Sequence, residues 1–323
     1  MTAHPAPSRT ELERRLQEVE EQLARLTRVQ RDEGVDLRSQ ITALTERANE
    51  LREAVWRDPT AWQIVQAARH PQRPKLADYL AGLFTDVTEL HGDRLFADDP
   101  AMFCGLARFD GTPCAVIGHY KGRETRENIE RRWGMPNPEG YRKAVRIMRL
   151  AEKHRLPVIS LVDTPAAYPG VEAEERGQAE AIARSIMVMS QLRTPIVVAI
   201  TGEGGSGGAL GIAVGDRILM LQYAIYSVIP PEGCAAILWH DASRKEEAAA
   251  ALKLTAPDLL QLGLIDEIVP EPPGGAHLDP DSVMNALREA LRNALGSLRG
   301  LSTETLCAGR YEKYRRMGKY VGS

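Results

Sequence analysis

The sequence predicts an α/β fold built on a parallel sheet, and three observations predict it. Two β-branched apolar runs, LPVISLVD (156–163) and PIVVAIT (195–201), read as strands buried on both faces. Each runs into an unusual loop, DTPAAYPG (163–170) and GEGGSGG (202–208). A helical pattern over 172–192 joins them. Strand, loop, helix and strand make a right-handed crossover, which sets the strands parallel and both loops at one sheet edge.

The 323-residue chain is long enough for one large domain with an appendage. Its 43% apolar content is that of a globular protein, and a net charge of −3 gives no bulk attraction to nucleic acid or membrane. No apolar run reaches the roughly 18 residues of a membrane span, and the first residues lack a signal-peptide core. The cysteines Cys104, Cys114, Cys234 and Cys307 are scattered without a CxxC pair, which argues against zinc and disulfides and fits a reducing cytoplasm.

From the N-terminus, Leu12, Leu16, Val19, Leu23 and Leu26 form one helical stripe, and Leu37, Ile41, Leu44, Ala48, Leu51 and Val55 another. Gln30 and Glu33 interrupt the apolar register and Gly34 follows, so 11–57 should form an antiparallel hairpin rather than one coiled coil. Residues 61–90 read as helix after a proline-rich turn. Strands over 103–109 and 114–119 flank Asp110-Gly111-Thr112-Pro113 as a hairpin. The stretch from Gly118 to His154 carries Lys121, Arg123, Arg126, Arg131, Arg132, Arg142 and Lys143. It is either a solvated helical face or a patch for phosphates or an acidic partner. After the glycine turn, 209–214 has the composition of a buried helix and 217–222 that of a strand. IYSVIPPEGCAAILW is a strand entering a helix near Glu232, LGLIDEIVPEP a strand, and 310–319 a basic helical tail.

The glycine turn is where chemistry is expected. Gly202, Gly204, Gly205, Gly207 and Gly208 are broken only by Glu203 and Ser206. A strand passing through glycines into a helix presents free N–H groups and a positive dipole end to something negative. GxGxxG is satisfied, but no acid ends the next strand to hold a ribose. GxSxG is satisfied too, with Ser206 as nucleophile and Asp241, Asp266 and His277 as nominal partners. A Walker loop fails for want of Lys-Ser or Lys-Thr. The remaining chemistry is an oxyanion hole made of backbone donors. A packing turn would need one such glycine rather than five. The hairpin alone would suit a non-catalytic assembly module, whereas two loops at one edge suit an enzyme subunit.

Several stretches carry a resemblance: AWQIVQAARHPQRP, ELHGDRLFADD, GHYKGRETRENIERRWGMPNPEGYRKA, DTPAAYPGVEAEERGQAEAIARS, TGEGGSGGALGIAVGDRILMLQYAIYSVIPPEGCAAILW and LIDEIVPEPPGGAH. On them the chain closely resembles the α subunits of bacterial acetyl-coenzyme A carboxylase carboxyltransferase over nearly its whole length. The resemblance implies a crotonase-like ββα superhelix, with a helical hairpin for assembly at 1–58, a carboxyltransferase domain at 59–300 and a helical tail at 301–323. It implies transfer of a carboxyl group from biotin, held on a separate carrier protein, to acetyl-CoA, giving malonyl-CoA for fatty-acid synthesis. It also implies partners: a zinc-ribbon β subunit in an α2β2 heterotetramer, the biotin carboxyl carrier protein and biotin carboxylase. No metal is expected in this chain.

By the same resemblance, backbone N–H groups of Gly204, Gly205, Gly207 and Gly208, facing Ala166 and Ala167, would hold negative charge on the ureido oxygen. Tyr168, Pro169, Gly170, Lys121, Arg123, Glu232 and Gly233 are the expected substrate-binding residues. Two positions depart from the family. Ala166 stands where it has the first glycine of DTPGAYPG, at a cost on the order of 1 kcal/mol if that position needs φ > 0 and none otherwise. Pro230 replaces the serine of ISPEG, removing a backbone donor and a hydroxyl.

Overall fold

The computed structural model describes residues 8–318, which divide into two compact units, 8–60 and 61–318. The start of the N-terminal segment and the end of the tail, from Lys319 on, lie outside the described residues.

In the first unit α1 (Arg9–Glu33) and α2 (Arg38–Val55) form the expected hairpin. Ser8 caps α1 by accepting the Glu11 N–H at 3.3 Å. Gly34 ends it in the left-handed region at φ 69°, its N–H donating to Gln30 O at 3.1 Å. Leu16, early in α1, packs with Ala48, Leu51 and Val55, late in α2, so the helices run antiparallel.

The second unit opens with α3 (Ala61–Ala68), α4 (Leu76–Leu83), β1 (Phe84–Glu89), β2 (Met102–Phe109), β3 (Thr112–His119), α5 (Thr125–Glu130) and α6 (Pro138–Lys153). The central crossover follows as β4 (Val158–Thr164), α7 (Val171–Glu175), α8 (Gln178–Gln191), β5 (Ile196–Gly205) and α9 (Ser206–Leu210). Next come β6 (Arg217–Leu221), β7 (Ile225–Ser227), α10 (Pro231–Trp239), α11 (Lys245–Leu252), α12 (Ala256–Gln261) and β8 (Glu267–Val269). The helices α13 (Pro280–Leu298) and α14 (Thr303–Arg315) complete it.

The sheet runs β1-β2-β3-β4-β5-β6-β8, with β7 added to β5. It is antiparallel from β1 to β3 and parallel from β3 onward. Asp110 and Gly111, at φ 46° and 75°, make the tight turn between β2 and β3. Every residue of β4 is buried, which accounts for its unbroken apolar run. Thr164 at the end of β4 pairs with Gly204, so the two special loops leave adjacent strands at the same edge.

Four expectations need correction. Residues 61–90 are not all helix: 84–89 form the edge strand β1. The helix expected at 172–192 breaks between α7 and α8, where Gly177 turns left-handed at φ 82°. The helix expected over 209–214 lies earlier and is short, spanning Ser206–Leu210. Just past its end two carbonyls go to side chains instead of continuing the helix: Ser160 donates to Ile212 O and Ser185 to Gly211 O, each at 2.5 Å. Finally, β5 does not stop at Thr201 but continues through the first three glycines to Gly205.

Candidate active site

The glycine segment is an extension of a strand. Glu203, Gly204 and Gly205 pair with Ile225, Tyr226 and Ser227 of β7. Close approach, not left-handed backbone, demands glycine here, since none of these glycines has a positive φ. A Cβ on Gly202 would stand 2.4 Å from Asp163 Oδ1, and one on Gly205 only 1.9 Å from Pro165 O. On Gly208 it would stand 2.3 Å from both Ala166 C and Ala167 N. Backbone therefore lies on backbone between the loops at 165–167 and 205–208. Gly207 differs: its added Cβ would meet nothing nearer than Ile182 at 3.8 Å. The left-handed residue is Ser206, at φ 50°.

Gly205 lies at φ −90°, a backbone conformation open to any residue. A side chain there is excluded by the Pro165 carbonyl, so it reports on the loop junction rather than on a strained φ. Ala166 lies outside the positive-φ set, so its methyl adds no left-handed backbone cost. Its N–H donates to Thr164 Oγ1 at 3.3 Å and that of Tyr168 to Pro136 O at 3.0 Å.

Beneath this contact two side chains hold the Gly208 carbonyl. His119 Nε2 and Tyr141 Oη each lie 3.2 Å from Gly208 O. A carbonyl only accepts, so the imidazole carries its proton on Nε2. Burial of the ring pushes the His119 pKa down to about 3. The unfolded chain therefore takes up a proton near pH 6.5 that the folded chain refuses until about pH 3. Stability contributed by neutral His119 is full above pH 6.5 and declines across that window as pH falls, by about 1.4 kcal/mol per pH unit. Denaturant titrations from pH 4 to 7 should show this slope in the native chain. His119→Gln, which keeps a donor but cannot titrate, should flatten it by one proton.

An ion network lies alongside. Lys121 Nζ is 2.7 Å from Asp163 Oδ1 and 3.0 Å from Glu203 Oε2. Arg69 joins Glu203 at 2.7 Å to Glu232 at 2.6 Å. Burial alone would lower the Lys121 pKa, but the Asp163 and Glu203 carboxylates outweigh it and hold the ammonium above its ordinary value. Burial likewise disfavours charged Glu203, and Lys121 and Arg69 reverse the sign, holding it below the usual carboxylate range. Behind the network Arg73 is paired with Glu271 at 2.6 and 2.8 Å, and its Nε donates to Thr201 O at 2.8 Å. These groups border a cleft of about 430 Å³ lined by Arg69, Lys75, Lys121, Arg123, Pro165 and Glu203 among others.

Of the expected substrate-binding residues, Lys121 and Arg123 line this cleft, and Glu232 reaches it through Arg69. Arg123 is also ion-paired with Asp78. Tyr168, Pro169, Gly170 and Gly233 do not line it. The Tyr168 carbonyl accepts from Gln178 Nε2 at 2.9 Å, Pro169 is exposed, and Gly170 caps α7. Gly233 sits in the first turn of α10, whose N-cap is Pro230 at φ −62°. That φ suits proline; what the missing serine would add is a side-chain cap, typically about 1 kcal/mol. The nominal hydrolase partners are engaged elsewhere. Asp241 caps Ser243 at 2.9 Å, Asp266 is ion-paired with Lys313, and His277 stacks on His70 at 3.6 Å.

Sequence reasoning missed Arg69, Arg73, His119, Tyr141 and Glu271 as contributors. Arg69 and Arg73 lie in ARHPQRP and His119 in GHYKG, both within the stretches that carried the resemblance. Partners up to 198 positions apart leave no local pattern to read.

A mixed sheet whose parallel strands end in two touching backbone loops is the fold that solved carboxyl-transferring enzymes also show. Transcarboxylase 12S with methylmalonyl-coenzyme A is 16% identical, covers 72% of this chain and 44% of its own, at TM-score 0.56. A Pseudomonas malonate decarboxylase hetero-tetramer in complex with coenzyme A is 18% identical, covering 68% and 87% of the two chains, at TM-score 0.55. A family profile, acetyl co-enzyme A carboxylase carboxyltransferase-like, matches residues 9–318, and the chain belongs to that family. It is 55% identical over 311 residues to the acetyl-coenzyme A carboxylase carboxyl transferase subunit alpha of Geobacter metallireducens, across 96% of this chain and 98% of that one. The same-named protein of Thioalkalivibrio sulfidiphilus is 52% identical, across 97% and 98%.

Proposed function

We propose that this chain is the α-type subunit of an acetyl-CoA carboxylase carboxyltransferase. It would move a carboxyl group from carboxybiotin on a carrier protein to acetyl-CoA, in the cytoplasm and in partnership with a zinc-ribbon β subunit. The observation that carries this reading is the family match over residues 9–318, and the backbone contact of Gly208 with Ala166 and Ala167 offers a place for the chemistry. Carboxybiotin supplies the carboxyl group and a ureido oxygen that gathers negative charge as the carboxyl departs.

The first-turn N–H groups of Gly207 and Gly208 have no acceptor within α9, and the half-exposed Gly207 leaves room for a ligand atom above them. With the N–H of Ala166 turned to Thr164 and that of Tyr168 to Pro136, Ala167 is the facing loop's donor. Gly204 and Gly205 then set the loop spacing rather than donate. Each aligned donor contributes about 2.7–4 kcal/mol to barrier lowering in comparable oxyanion holes. In the lining of the adjoining cleft Arg69, Arg73, Lys75, Lys121 and Arg123 outnumber Asp163 and Glu203, which suits anionic parts of a substrate. The hairpin of α1 and α2 serves assembly. No helix among the described residues is long and apolar enough to cross a membrane, and none of their His, Cys, Asp and Glu side chains group as a metal site.

Co-purification with a β-type subunit, followed by decarboxylation of malonyl-CoA in the presence of biocytin, tests the proposal. The complex should turn over well above the β subunit alone; a complex that forms but adds nothing would refute it. In the same assay Ser206→Ala should retain most activity, because no nucleophile is required. Labelling of Ser206 by a fluorophosphonate, lost in the alanine variant, would restore the hydrolase reading.

A further inference from the structure

A second cavity, of about 350 Å³, lies away from the cationic cleft, and the proposed reaction makes no use of it. Pro157 and Pro195, which precede β4 and β5, line it, placing it at the opposite ends of those strands from the catalytic loops. Phe109 and Leu295 complete its apolar walls, and its volume falls among those of small-ligand pockets, about 300–1,000 Å³. Three guanidinium groups, Arg155, Arg292 and Arg299, belong to the same lining. Arg292 is committed to Asp110 at 2.7 Å, and Arg288 also lies 4.0 Å from that carboxylate. Arg155 and Arg299 have no carboxylate partner among the described residues. Arg155 moreover occupies the left-handed position after α6, at φ 56°, where glycine or asparagine is usual. Leu156 N–H, donating to Ala151 O at 2.9 Å, locks that turn.

An apolar chamber with surplus guanidinium at its rim is complementary to a molecule with one apolar tail and one anionic head. We infer that this cavity is a binding site for an amphipathic anion, an alkyl chain bearing a single carboxylate or phosphate. The apolar walls take the tail, and Arg155 and Arg299 take the head by charge-assisted hydrogen bonds.

Calorimetric titration of the full chain with decanoate and decyl phosphate tests this, with decanol and inorganic phosphate as half-ligands. Saturable binding of at least one amphipathic anion is expected, at least about tenfold tighter than either half-ligand. The tighter of the two identifies the head as carboxylate or phosphate. Arg155→Gln with Arg299→Gln should weaken that binding by about tenfold or more. Gly296→Leu provides a second variant, since a side chain at that lining position meets nothing within 4 Å and leucine favours helix. It should block the cavity without lowering the unfolding midpoint. Absence of binding, decanol binding as tightly as decanoate, or unchanged affinity in both variants would overturn the inference.

Discussion

Replacing Gly208 with alanine is expected to lower carboxyl transfer about 10²–10³-fold in the reconstituted complex, the effect of losing one aligned oxyanion donor. The new methyl would need space held by Ala166 C and Ala167 N, 2.3 Å away, so the two loops must part. Neither neighbour is a flexible side chain that could swing aside. Overpacking of this kind costs typically about 1–3 kcal/mol, so stability and partner binding must be measured separately. Gly207→Ala is the control for folding, since its methyl comes no nearer than 3.8 Å to Ile182 and should leave the unfolding midpoint unchanged. Near-normal kcat in folded Gly208→Ala would show that this contact only packs. The site would then have to be sought along the cationic cleft.

The largest loss of stability is expected for Glu271→Gln. Arg73 and Glu271 are buried, at 3% and 0% side-chain exposure. Glu271 also accepts the N–H of Tyr223 at 2.8 Å and of Ala276 at 2.7 Å. Neutralising it strands the Arg73 guanidinium in the interior, a change that costs about 3–5 kcal/mol when one partner of a buried pair is lost. Equilibrium denaturation should show a lower midpoint at unchanged m-value. A shift below about 1 kcal/mol would mean that water or another carboxylate compensates the guanidinium.

The parts of the fold legible in the sequence are those where burial leaves a periodic or unbroken pattern. The strands β4 and β5 read clearly because both faces are covered, and the N-terminal hairpin because both stripes hold register. In contrast, β1 hides its pattern: residues 85–88 are exposed, Asp86 is left-handed at φ 52°, and the register slips between Thr85 and Thr88. The run 209–214 misleads for another reason. Residues 209 and 211–214 are buried as expected while Leu210 is exposed, and side-chain donors take the carbonyls a continuing helix would use. Helix α13 carries a plain stripe, Val283, Leu287, Ala290, Leu291 and Ala294, that the reading of that region passed over.

For the site, motif shape and spacing brought the two loops together correctly. They could not say why each glycine is glycine: that answer lies across the sheet, in Asp163, Pro165, Tyr226 and the 166–167 backbone. The cationic cleft had a partial signal in Lys121 and Arg123. Its other half comes from Arg69 and Lys75, far upstream.

The span between Arg73 and Glu271 bears on how the chain is made. A ribosome releases Arg73 with 198 positions still to come before its carboxylate partner. Both loops, at 163–170 and 202–208, emerge within that interval. A nascent chain can therefore build the crossover while the guanidinium that grips Thr201 is still uncompensated, so no dry interior can close over it. Vectorial synthesis thus leaves the catalytic edge wet and adjustable until the C-terminal end of the sheet arrives.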